Sequence, residues 1–195
     1  MARDSHYDAT RWWTVSRAHP RSRRTGVGLS VTDFESVAIR RALRSDVDAL
    51  KAVERDALVT AGGVHVVPRD WPDLLTRKGI FTYIAEDETP FGMVTSGPPQ
   101  ESFLDDEKTG EILAHFLREG YQGHGLGRKL LVHGVSVIKR RDSARAVIWV
   151  PEAADRALRV VEALGFEALG ATREINRADG TVVEQCLALD CAKWF

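Results

Sequence analysis

The stretch Gln122-Gly123-His124-Gly125-Leu126-Gly127-Arg128 decides how this chain is read. It separates two different periodicities. Upstream, Glu111 to Leu117 (EILAHFL) has the make-up of a strand, and downstream Leu126, Leu130, Leu131, Val137 and Ile138 recur at helical spacing. A glycine-rich turn that opens a helix presents main-chain N–H groups with no intrahelical partner, along with the positive end of the helix dipole. Such a turn binds anions, and pyrophosphate is its usual guest. Glycines also let the backbone approach phosphate oxygens more closely than a Cβ would allow. Two familiar phosphate loops are excluded by spacing. No G-x-x-x-x-G-K-[ST] can be laid over the stretch, and glycines at 123, 125 and 127 do not make G-x-G-x-x-G.

Working outward, Ala38–Arg41 reads as a first strand, and Ser45 with Asp48 as a capping-box start for a helix carrying Val47, Leu50 and Val53 inward. A short helix is expected from Asp70 to Lys78, with Pro72 near its start and Gly79 past its end. Ile80–Glu86 and Phe91–Ser96 flank a turn at Asp87–Pro90 and form a hairpin. Beyond the glycine turn and its helix, Ala146–Val150 is a short apolar run suited to a buried strand. Asp155–Leu164 is a helix capped by Gly165, and Ile175 with Thr181–Leu189 forms a last hairpin around Arg177–Gly180.

Composition sets outer bounds. A chain of 195 residues, 44% hydrophobic, can bury one substantial core. Its net charge of −1 gives no global case for a nucleic-acid partner. No apolar run reaches membrane-spanning length, so no membrane partner is expected. Cys186 and Cys191 match no zinc or redox spacing. They suit a reduced, cytoplasmic chain, and no metal is expected. The first residues differ from the rest: Arg3, Arg11, Arg17, Arg21, Arg23 and Arg24 outweigh Asp4 and Asp8, and Trp12-Trp13 lies among them. We read 1–36 as a basic N-terminal extension, either a flexible leader or an arm that packs through Trp12 and Trp13 on its own domain or a partner subunit, and 37–195 as the folded domain.

Gln122, Gly125 and Gly127 fit [RQ]-x-x-G-x-[GA], and the element order around them agrees. In this the chain resembles the GNAT superfamily of acetyl-CoA-dependent N-acetyltransferases, as does the run Glu162–Phe166 (EALGF) at the end of the penultimate helix. The resemblance covers about residues 37–190. It implies an α/β (α+β) fold: a single domain whose mixed central sheet of about six or seven strands carries helices on both faces. It implies acetyl-CoA as cosubstrate and a primary amine of a small molecule or peptide as acceptor, acetylated by direct attack in a ternary complex. The pyrophosphate is expected over the main-chain N–H groups of Gly123, His124, Gly125, Leu126, Gly127 and Arg128, next to Gln122, while the side chains of Arg128 and Lys129 either add charge or lie on a solvated helix face. Pantetheine is expected along the motif strand at Phe116 and Leu117, whose backbone would polarise the thioester carbonyl.

Three positions depart from the family pattern. Glu119 stands where a Pro is usual, Ala154 where an Asn is common, and Val161 where the commonest general acid is a Tyr. An amine with a pKa of about 10.4 must lose a proton before attack at neutral pH. Glu111 and His115 are the candidate bases, and period-two alternation places both on one strand face with Leu113 and Leu117. The alternatives are an exposed strand start for Glu111 and a hydrogen-bonded core histidine for His115. His124 reads as a solvated loop residue. The acceptor side falls to 56–79, including His65 and Trp71, and to 173–181, while Trp71 and Trp149 either wall the pocket or pack in the core. An acidic run, Glu101, Asp105, Asp106 and Glu107, either draws a cationic amine or is a solvated loop. The competing functional class is a catalytically degenerate acyl-CoA-binding module that senses or scaffolds, and the sequence leaves a homodimer open.

Overall fold

The computed structural model describes residues 37–60, 69–104, 108–177 and 180–194. The N-terminal extension, His65, Asp105–Glu107 and the tip of the last hairpin lie outside the described residues. Seven strands form one sheet: β1 (Ala38–Arg41), β2 (Phe81–Glu86), β3 (Pro90–Gly97), β4 (Thr109–Leu117), β5 (Arg145–Pro151), β6 (Glu167–Arg177) and β7 (Gly180–Asp190). Their order is β1-β2-β3-β4-β5-β7-β6. Neighbours run antiparallel except β4 and β5, which are parallel because the chain returns between them through a helix.

Among the described residues, four helices cover the sheet: α1 (Val47–Thr60), α2 (Trp71–Thr76), α3 (Leu126–Lys139) and α4 (Asp155–Glu162). On one face, Leu50, Val53 and Leu58 of α1 and Trp71 and Leu74 of α2 meet Ile84, Met93, Ala114 and Phe116. On the other, Leu130, Leu131 and Val135 of α3 and Val161 of α4 meet Val94, Ile112, Ile148 and Val150. Gly134 lets α3 lie close to the sheet, since a Cβ there would fall 2.7 Å from Val94 Cγ2 and 2.9 Å from Ile112 Cδ1. A smaller core of Leu104, Val147, Trp149 and Cys186 lies on the α1/α2 face, where the short turn Ser102–Leu104 replaces a helix. No helix among the described residues is long and apolar enough to cross a membrane. The sheet therefore matches the mixed architecture expected from the sequence, with seven strands and helices on both faces.

Two local expectations are corrected. The capping box of Ser45 and Asp48 does not start α1; a 3-10 turn over Arg44–Asp46 precedes it. The Asp46 carboxylate accepts from the Leu43 N–H at 2.7 Å, held there by an ion pair with Arg40 at 2.8 Å, and this strand-to-turn pairing moves the cap. Strict alternation along β4 also fails. Ala114 pairs Thr95 while Ile112 pairs Ser96, so Leu113 is an extra, bulged residue. A bulge reverses the facing of everything beyond it. Ile112 thus packs toward α3, yet Ala114 and Phe116 pack toward α1.

Candidate active site

The site is built on the place where β4 and β5 part. Their parallel ladder runs from Thr109↔Arg145 to Ile112↔Ile148 and stops, although β4 continues to Leu117 and β5 to Pro151. A wedge-shaped gap opens between the two strand ends. The bulge at Leu113 lies at its root, where β4 turns from β5 while keeping its pairs with β3. Its carbonyl accepts from Arg69 Nη2 at 2.8 Å. Arg69 is itself buried beside Glu54 of α1, with Nε 3.9 Å from the carboxylate, and the same carboxylate accepts from Trp71 Nε1 at 2.7 Å. Trp71 and Trp149 are both buried, 0% and 2% exposed, so they are core residues and not the walls of an open pocket.

Antiparallel partners alternate between pairs that exchange hydrogen bonds and pairs that do not. The Arg118 N–H donates to Phe91 O at 2.9 Å, which makes Phe116↔Met93 the next bonded pair and turns the main chain of Phe116 toward β3. The main-chain groups of His115 and Leu117 turn the other way, into the gap. Leu117 O confirms this by accepting from Gln122 Nε2 at 3.0 Å. The side chain of Phe116 packs on the α1/α2 face and that of Leu117 toward α3.

Beyond β4 the chain makes a 3-10 turn over Glu119–Tyr121, so the residue in the family's proline position simply begins a turn. Tyr121 stacks on Phe91 with ring centroids 4.0 Å apart and donates to Asp87 Oδ2 at 3.0 Å, tying the turn to the β2–β3 hairpin. Gly123 (φ 93°) and Gly125 (φ 79°) then take left-handed backbone, and Gly125 is the N-cap of α3. The first intrahelical bond runs from Lys129 N to Gly125 O. The N–H groups of Leu126, Gly127 and Arg128 precede it and point out of the helix end. The expected phosphate turn is therefore formed as a turn, and it stands at the open end of the gap.

Glu111 and His115 do not share a face. Glu111 lies on the α1/α2 side, 4% exposed, with Oε2 accepting from the Gln100 N–H at 2.8 Å. Burial pushes its carboxyl up to about 7, against the Gln100 bond and the Arg173 charge, which favour ionisation. It is no exposed strand start. Around it stand Glu101, Arg173 and Glu184: Arg173 pairs with Glu101 at 3.0 Å and with fully buried Glu184 at 2.8 Å, and its guanidinium lies 4.3 Å from the Trp149 ring centroid. Glu101 is thus an ion-paired residue rather than part of a solvated run.

His115 turns toward α3. Its Nε2 lies 2.9 Å from Gly127 O, a contact only the Nε2–H tautomer can make. Desolvation holds the imidazole down at about 4, so it is neutral at physiological pH. Of the two basic residues of the turn, Lys129 places Nζ 3.1 Å from Val37 O, and Arg128 lines a groove of about 600 Å³ with Val132, Leu164 and Trp194. Ala154 caps α4 without a side-chain bond, and Val161 lies in the core at 1% exposure. One contact escapes a linear reading of the sequence: Arg156 of α4 donates through Nη1 to Gln122 Oε1 at 3.1 Å. Thirty-four residues separate the two, and only the return of β5 beside β4 brings them together.

A glycine turn over a helix N-terminus, at the mouth of a parting parallel strand pair, presents main-chain N–H groups where an anion can be held. The profile of the Acetyltransferase (GNAT) family matches residues 48–166. The chain belongs to that family. No curated protein matches it in sequence. Among solved structures it is similar to the ribosomal-protein-S18-alanine N-acetyltransferase of Escherichia coli, at 18% identity and TM-score 0.64 over 80% of this chain and 94% of that one. It is similar to an N-acetyltransferase of Staphylococcus aureus Mu50, at 17% identity and TM-score 0.68 over 80% and 99%. A third is yncA of Salmonella typhimurium, solved with its cofactor acetyl-CoA, at 19% identity and TM-score 0.66 over 80% and 94%. At these identities the likeness is one of fold.

Proposed function

We propose that this protein is an N-acetyltransferase that moves an acetyl group from acetyl-CoA to a primary amine by direct attack. The observation that carries the reading is the β4–β5 gap ending at a left-handed glycine turn. The cradle suits the cosubstrate. Its floor offers main-chain groups of His115 and Leu117, and its mouth offers the N–H groups of Leu126, Gly127 and Arg128 to a pyrophosphate. Bound acetyl-CoA supplies an activated acyl thioester. The N–H groups that β4 turns into the gap stabilise negative charge on an acyl oxygen placed there.

Glu111 is the base we assign, because its carboxyl titrates at about 7 and so can both hold and release a proton near neutrality. With Oε2 occupied by Gln100, Oε1 is the oxygen left to take a proton. Neutral His115 holds the first turn of α3 through Gly127 O, positioning the phosphate donors rather than taking a proton. With Val161 in the core, the departing thiolate is left to solvent for its proton. Buried free thiols at Cys186 and Cys191 support a reducing, cytoplasmic setting.

The test is release of CoA thiol from acetyl-CoA against polyamines, aminoglycosides, amino acids and lysine or N-terminal peptides, across pH. Amine-dependent release in one class establishes the reaction and its acceptor. Binding of acetyl-CoA with no release above the amine-free rate in any class overturns the enzyme reading.

A further inference from the structure

The mouth of the gap is already spanned by side chains. Leu117 O, the last carbonyl that β4 turns toward the gap, accepts from Gln122 Nε2 at 3.0 Å, and Gln122 Oε1 accepts from Arg156 Nη1 at 3.1 Å. Gln122 belongs to the turn beyond β4, and Arg156 to the first turn of α4 beyond β5. This relay joins the two sides where their own ladder has ended. It also rests on the phosphate turn itself, since a Cβ on Gly123 would meet Arg156 Nη2 at 3.3 Å.

The partner Arg156 has here is a neutral carboxamide. A guanidinium gains far more from a phosphate oxygen, which offers charge and a bidentate geometry that an amide oxygen does not. The cations inside the motif are directed elsewhere, Lys129 to Val37 O and Arg128 to the groove beside Trp194. The geometry points to Arg156 as a further cofactor-binding residue: it exchanges Gln122 for the pyrophosphate and clips α4 to the phosphate turn across the bound pantetheine. This rests on the acetyl-CoA reading above, and the charge comes from α4, outside the motif.

The experiment compares the full chain with Arg156→Ala and Arg156→Lys, measuring CoA binding by calorimetry and turnover of acetyl-CoA against acetyl-pantetheine, which lacks the pyrophosphate. Arg156 is exposed, so the fold is expected to survive both changes. The expected result is a roughly tenfold or greater loss of CoA affinity in Arg156→Ala, the equivalent of one charge-assisted hydrogen bond, with partial rescue by lysine. Turnover of acetyl-pantetheine should fall by clearly less than turnover of acetyl-CoA, because the lost partner is absent from that substrate. Unchanged CoA affinity, or an equal loss with both substrates, would overturn the assignment; equal loss would mean Arg156 merely shapes the gap. A wild-type protein that binds no CoA would instead break the underlying reading.

Discussion

Glu111 and His115 show how far a residue's chemistry depends on neighbours that its own strand does not supply. Both stand four apart in EILAHFL, and both read as possible bases. Burial moves their titrations in opposite directions, to about 7 for Glu111 and about 4 for His115, because desolvation disfavours the charged form of each. Wild-type kcat/KM should therefore rise with pH through about 7 and level above it, as the Glu111 carboxylate forms. Glu111→Gln should abolish that limb and lower kcat by about 100-fold or more with a good acceptor, measured as a pH–rate profile. The same shift has a stability consequence. Between 4.5 and about 7 the folded protein keeps a proton that the unfolded chain has lost, so this group makes stability fall as pH rises through that window. Thermal unfolding of Glu111→Gln across pH should lack that component. The residue types were legible in the sequence, but their protonation was not, since Gln100, Arg173 and Glu184 reach Glu111 only through other elements.

At the scale of elements, β4 sets the site, and its bulge was the feature missed. Alternation assumes an unbroken ladder, and one extra residue at Leu113 puts Glu111 and His115 on opposite faces. A bulge leaves main-chain groups without ladder partners, and the Leu113 carbonyl finds Arg69 instead. The Arg69–Glu54 pair is buried on both sides, each side chain 2% exposed. Removing one partner strands a charge in the core, whereas replacing both removes the need for either. Arg69→Ala should cost about 3–5 kcal/mol in chemical denaturation, and Glu54→Gln with Arg69→Met together should cost clearly less than that single change. Equal costs would mean that a stranded Glu54 charge is not what makes the single change expensive. The helices, by contrast, were largely visible in the sequence. Asp70 caps α2 by accepting from the Asp73 N–H at 3.0 Å, and Gly165 takes φ 92° after α4, as local capping chemistry predicts.

For the molecule as a whole, the sheet divides at the gap into β1–β4 and β5–β7, joined by only the four register pairs from Thr109↔Arg145 to Ile112↔Ile148. A ligand lying in that gap touches both parts and binds the folded state alone. CoA at 100 times its dissociation constant should add about 2.7 kcal/mol to stability, a rise in Tm of about 5–10 °C for a chain of this size, read by thermal unfolding. No shift at saturating CoA would contradict a ligand bridging the two parts. The sequence by itself determined the order of elements, the glycine turn and the family, because turns, caps and helical periodicity are written in residues a few positions apart. Only the tertiary structure decided which face each β4 side chain takes, that Glu111 titrates near neutrality, and that Arg156 reaches Gln122. Each of these depends on contacts between residues distant in the chain, made through register, burial and the packing of one element on another.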